Sequence, residues 1–153
     1  MITKSKDFVS MEDLVPLIRE QLSAGQPVSF TPTGNSMLPM LRHGVDSVTL
    51  SPVPEKLHKY DLPLYRRENG QYIMHRIVAV SDTYTCMGDN QFVLEQGLAH
   101  GQMIGLVTAF TRNGKAYSVQ HKGYQLYCRL WYHSRHFRYL FRRGVAYIRR
   151  HLT

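Results

Sequence analysis

Three short segments carry side chains able to exchange protons and acyl groups. Ser36 lies in Thr33-Gly34-Asn35-Ser36-Met37-Leu38-Pro39. Thirty-nine residues later His75 interrupts the apolar run Tyr72-Ile73-Met74-His75-Arg76-Ile77-Val78-Ala79-Val80, and Met87-Gly88-Asp89-Asn90 follows it. A hydroxyl on a glycine turn, an imidazole of near-neutral pKa and a carboxylate are the parts of an acyl-transfer site. Gly34 permits a tight turn, and Met37 to Leu41 predict a short helix beneath Ser36. The amides at its start, with Asn35 and Met37 as neighbours of the hydroxyl, would lie where an oxyanion needs donors. The same placement would let Ser36 simply cap a helical turn. Among eight histidines, His75 alone sits inside a β-core pattern, which makes it the candidate base. Two carboxylates compete to orient it: Asp89, which as a turn residue can also bond its own backbone, and Glu95, six residues on.

The elements that must hold these residues follow from periodicity and punctuation. Residues 10–24 predict a helix, with Ser10 as N-cap, Asp13 at the third position, Leu14, Ile18 and Leu22 on one face, and Gly25 as the stop. Short strands are then expected at Val28–Thr31, Ser47–Leu50, Leu62–Tyr65, Tyr72–Val80, Tyr84–Met87, Met103–Phe110 and Ala116–Val119. Asn69-Gly70 and Asn113-Gly114 predict hairpin turns, and Pro63 predicts an edge or a bulge. From Tyr124 to Leu152 a helical pattern returns. Tyr127, Leu130, Trp131, Ser134, Phe137 and Phe141 fall near one face, which Val145, Ile148 and Leu152 resume after Gly144. The organisation expected is therefore a helical segment over 1–27, a mainly β domain over 28–120 and a basic, aromatic helical tail over 121–153.

Length and composition narrow the class. At 153 residues the chain suits one compact body. No apolar stretch has signal-peptide or membrane-spanning length, so a cytoplasmic protein is expected. Cys86 and Cys128 are too few for a disulfide framework, lack metal-ligand spacing and are expected to be reduced. The residue pattern calls for no cofactor and no metal. The formal net charge of +8 resides wholly in the tail: residues 1–120 hold 11 basic and 11 acidic side chains, and 121–153 hold 8 basic and none acidic.

Together the boxes resemble those of the signal peptidase I clan, which includes the self-cleaving SOS-type repressors. Gly34-Asn35-Ser36-Met37-Leu38-Pro39 is similar to the clan's nucleophile box, and Gly44-Val45-Asp46-Ser47-Val48 to its Gly-Asp-hydrophobic box with one inserted residue. Lys59-Tyr60-Asp61-Leu62-Pro63-Leu64 looks like a second such element with Tyr60 in place of glycine. Gly88-Asp89-Asn90-Gln91 matches the Gly-Asp-Asn box, and Ile104-Gly105-Leu106-Val107 resembles the closing strand. The resemblance spans roughly residues 28–110. No lysine occurs between Lys59 and Lys115, and Met74-His75-Arg76-Ile77 looks like the histidine-base motif of the endoplasmic-reticulum and archaeal-type branch. The resemblance implies a coiled β body and a serine endopeptidase with Ser36 as nucleophile, His75 as base and Asp89 or Glu95 as the acid. Glutamate departs from the family's aspartate at the later of those two places. The substrate implied is a peptide or protein in extended form. Arg42, His43 and Arg76 are expected to be ordinary surface or groove residues.

Two departures set the chain apart: signal peptidases carry a transmembrane anchor and the repressors a helix-turn-helix, and neither is expected here. The tail has three readings: peripheral attachment to an anionic membrane on its inner face, nucleic-acid binding (the least favoured), or aromatic packing on the β body with solvated arginines. Two alternatives to the enzyme stay open, a catalytically inactive peptide-binding module of the same fold and a nucleic-acid-binding regulator that uses the tail.

Overall fold

The computed structural model describes residues 9–151; the polar Met1–Phe8 segment and Leu152 lie outside them. The chain is mainly β, two antiparallel sheets with three α-helices among the described residues. Helix α1 spans Met11–Ser23, and the Ser10 hydroxyl caps it by accepting from the Asp13 amide at 3.2 Å. Gly25 ends it with φ of 74°, in the left-handed region that glycine enters without strain. Its buried face is Val15, Ile18 and Leu22. Leu14 of the expected face is only partly buried, against the same core.

The larger sheet runs β1 (Val28–Phe30), β2 (Ser47–Ser51), β8 (Met103–Arg112), β3 (Pro63–Arg66) and β4 (Tyr72–Met74), and β9 (Lys115–Ser118) also pairs with β8. The smaller sheet is β5 (Arg76–Val80), β6 (Tyr84–Met87) and β7 (Glu95–Leu98). Both asparagine-glycine turns form: Gly70 sits at φ of 88° between β3 and β4, and Asn113 and Gly114 at 51° and 73° between β8 and β9. Pro63 opens β3, an inner strand, so the expected edge is not found. A register shift between Leu64 and Tyr65 supplies the bulge instead.

Two expectations need correction. Tyr72–Val80 is not one strand: β4 belongs to the larger sheet and β5 to the smaller, and the chain changes sheets at His75. No helix forms at Met37–Leu41 either; the segment is a turn closed by the Leu41 amide on the Met37 carbonyl, with a cis Leu38–Pro39 bond. Strand β7 was not foreseen, because Glu95-Gln96-Gly97-Leu98 contains no β-branched or aromatic residue.

The larger core gathers α1, β2 and β8 with Met37, Met40 and Leu41. A second core under the smaller sheet is built from Leu57, Tyr65, Ile77, Tyr84, Cys86, Leu98 and Met103. The C-terminal region is two helices, α2 (Lys122–His133) and α3 (Arg135–His151), divided at Ser134 and continuous through Gly144. α2 starts with the His121 ring accepting from the Gly123 amide at 3.1 Å. Among the described residues no helix is long and apolar enough to cross a membrane.

Candidate active site

His75 occupies the crossover between the sheets, and that position explains its enclosure: it is 3 % exposed. Its Nδ1 lies 3.1 Å from Glu95 Oε1 and 3.4 Å from the Tyr65 hydroxyl. Glu95, at the start of β7, also receives the Tyr65 hydroxyl at 2.9 Å and both Nε and Nη2 of Arg67, at 2.7 and 2.5 Å. Burial tends to raise the Glu95 pKa, but the hydrogen bonds from Arg67 and Tyr65 outweigh it and hold the carboxyl below its ordinary value. Glu95 is therefore an ionised acceptor. Nδ1 must then carry the proton of neutral His75, which leaves Nε2 as a lone-pair base. Burial lowers the pKa of His75, and the nearby Glu95 charge offsets this only in part.

The free nitrogen faces the serine segment. A Cβ placed on Gly88 would stand 2.8 Å from the Ser36 carbonyl oxygen and 3.1 Å from His75 Nε2, so the two flank the same glycine. Only a residue without a side chain lets them approach this closely. The serine segment is tied to that loop by the Asn90 amide, which donates to the Ser36 carbonyl at 2.8 Å, and by Asn90 Nδ2, which donates to the Asn35 carbonyl at 3.1 Å. On the other flank His43 Nδ1 accepts from the Gly34 amide at 2.7 Å. Both hydrogen bonds of His75 use Nδ1, and the Ser36 hydroxyl is not among its partners.

Asp89 is placed elsewhere. Both of its carboxylate oxygens accept from Arg76, at 2.8 Å each, and Oδ2 also accepts the Tyr127 hydroxyl at 2.9 Å. Arg76 is 2 % exposed, which corrects its expected place on the surface or in a groove. Its remaining donors reach the Tyr60 carbonyl, the Tyr124 hydroxyl, Cys128 Sγ and Met40 Sδ. Burial would lower the Arg76 pKa, but Asp89 reverses the effect and the guanidinium stays charged. The Trp131 indole adds a 2.7 Å bond to the Asp89 carbonyl. α2 is thus locked onto the β body by its aromatic side, as the packing reading of the tail requires. Arg42, half-buried, is paired with Asp46.

Met37 is buried in the larger core. Its side chain anchors the serine turn to that core. Asn35 is exposed beside Ser36. Tyr60, standing where the resemblance has a glycine, holds φ of 78°, so the backbone keeps a left-handed conformation with a tyrosine in it. Its amide donates to the Ile77 carbonyl and its carbonyl accepts from the Arg76 guanidinium, both just after His75. Cys86 and Cys128 are buried and free, and burial pushes the Cys86 thiol up to about 12, which removes it as a nucleophile.

Sequence reasoning missed Tyr65 and Arg67. The period of two along a strand puts them on one side, with Tyr65 opposite Ile73 across the hairpin and Ile73 two residues before His75, and that signal was available. Among the described residues no group of His, Cys, Asp and Glu has the arrangement of a metal site. No protein-family model, curated protein or solved structure matches this chain.

Proposed function

We propose that this chain is a serine endopeptidase of the signal-peptidase type, with Ser36 as nucleophile, His75 as general base and Glu95 as the residue that orients the base and stabilises its protonated form. One observation carries the reading: His75 is bound through Nδ1 to an ionised Glu95 while Nε2 faces the Ser36 segment across Gly88. The coiled β body of that family is the corresponding fold proposal, supported by the two antiparallel sheets and the change of sheet at His75.

The chemistry follows from the placement. Nε2 accepts the Ser36 proton as Oγ attacks the peptide carbonyl, and Glu95 stabilises the imidazolium. The imidazolium then protonates the departing amine, leaving a Ser36 ester. Water, deprotonated by Nε2, attacks that ester and releases the acid. The backbone amide of Ser36, with Asn35 beside it, is the oxyanion donor in this scheme. Two edge strands of the larger sheet run toward the site: β1 feeds the Ser36 turn and β4 ends one residue before His75. An extended peptide can therefore add as a further strand.

The test is incubation of the full chain with a degenerate library of unstructured peptides, followed by mass spectrometry of the products. Defined new termini, absent with Ser36→Ala, support the reading. Peptides retained but uncut by the wild type would make the domain a binding module. Binding confined to nucleic acid, lost on removal of the tail, would make it a regulator.

Two further outcomes are expected. The cleavage rate should fall on the acid side with a midpoint below the ordinary histidine value of about 6.5, because burial depresses the pKa of the base that must be neutral. Glu95→Gln removes a neighbour that favours the imidazolium, so this midpoint moves lower still, while the plateau rate drops by about 10²- to 10⁴-fold. A pH–rate profile of both proteins checks the two signs. Gly88→Ala should lower kcat by about 10²-fold, because the new methyl has to displace the Ser36 carbonyl or His75. Its φ lies outside the left-handed region, so the folded state should survive; steady-state kinetics beside a thermal melt separate the two effects.

A further inference from the structure

We infer that α3 is an interfacial helix that lies on an anionic phospholipid surface with its apolar face inserted. At 100° per residue, Phe137, Leu140, Phe141, Tyr147 and Ile148 fall on one side of α3, and its six arginines occupy the opposite arc. In an ordinary surface helix the apolar side packs on the body. Here the arrangement is inverted. The cationic side is the one that docks: Arg142 Nη2 donates to Asn90 Oδ1 at 2.9 Å, Arg138 Nη2 donates to the Trp131 carbonyl at 2.6 Å, and the Arg138 guanidinium lies 3.7 Å from the centre of the Trp131 ring. The five apolar residues are each more than half exposed, and no residue of α3 is buried.

Charge decides which surface covers this face. Glu95 is the last acidic side chain in the chain, so the C-terminal helices carry basic side chains and no acidic ones. A second copy docking apolar face to apolar face would bring together two helices rich in arginine and lacking any acidic side chain. Nucleic acid would neutralise arginines but leave five large apolar side chains in water, and two of the arginines are already turned into the body. An anionic bilayer satisfies both sides at once: acyl chains receive the apolar face, and headgroups meet the arginines along its borders. The inference holds whether or not Ser36 is a nucleophile.

The experiment is co-sedimentation of the full chain with vesicles of phosphatidylglycerol and phosphatidylcholine (about 3:7) and with vesicles of phosphatidylcholine alone. Wild type should bind the anionic vesicles at least about tenfold more tightly, and higher salt should weaken that binding. The triple variant Phe137→Ser/Phe141→Ser/Ile148→Ser should lose about tenfold or more with an unchanged melting temperature, since these side chains are exposed. Arg143→Glu/Arg150→Glu, which leaves the docking arginines in place, should remove the preference for anionic lipid. Wild type remaining in the supernatant, or the triple variant binding as well as wild type, would overturn the inference. So would a concentration-dependent dimer abolished by the triple variant, which would assign the face to a second copy, or tight binding to duplex DNA in place of lipid.

Discussion

Ser36→Ala and His75→Ala are each expected to lower peptide cleavage by about 10⁴-fold or more, and the double variant to be no worse than the poorer single one. The lack of additivity is the informative part. If Nε2 of His75 serves only to take the Ser36 proton, then removing the second partner costs nothing once the first is gone. Independent, multiplying losses would show that the two residues act separately, and the proposed pair would be wrong. Both proteins should remain folded. Ser36 lies on a turn held through its backbone carbonyls by the amide and side chain of Asn90, bonds that the Ser36 side chain does not make. His75 leaves a cavity at the sheet crossover, so circular dichroism accompanies the kinetics.

The second large effect concerns stability. Arg76→Met or Asp89→Asn should each cost about 3–5 kcal/mol, because each leaves the other partner as an uncompensated polar or charged group in a site closed to water. Arg76→Met/Asp89→Leu should recover part of that loss, since two apolar groups of similar volume leave no buried charge. Urea unfolding measures all three, and a cost under about 1 kcal/mol for the single variants would deny the pair its structural role. Asp89→Asn and Glu95→Gln together separate the two candidate acids. Glu95→Gln should lose activity while keeping most of its stability, and Asp89→Asn should do the reverse below its melting temperature. Loss of activity in a still-folded Asp89→Asn protein, with Glu95→Gln active, would invert the assignment.

Much of the architecture was legible from local chemistry. Ser10 and Gly25 bounded α1, and two asparagine-glycine pairs fixed two hairpins, because capping and left-handed turns depend on a few adjacent residues. His75 stood out for a similar reason, as a titratable ring in an apolar run. What could not be read was where a run of uniformly apolar residues changes partner. Tyr72–Val80 has one continuous pattern, yet β4 and β5 pair in different sheets, and only the tertiary arrangement reveals His75 as the joint.

The choice between Asp89 and Glu95 was equally invisible. It depends on Arg76, whose burial draws Asp89 away from His75, and on Tyr65 and Arg67, which bring Glu95 to it. Pairings between distant residues leave no trace in spacing. The tail gave a third lesson. A single helical pattern with aromatics and arginines concealed two helices of opposite habit, α2 packing its aromatic side on the body and α3 turning its apolar side out. The break at Ser134 makes the two faces independent, and periodicity alone had joined them.

The central claim is that Ser36 is activated by His75, and covalent labelling tests it most directly. The full chain is incubated with a serine-directed fluorophosphonate, and intact-mass and peptide-level mass spectrometry locate the adduct. One adduct on Ser36, missing from Ser36→Ala and at least about 10²-fold slower to form in His75→Ala, is the predicted result. An adduct on another residue, or labelling of Ser36 at an unchanged rate without His75, would contradict it.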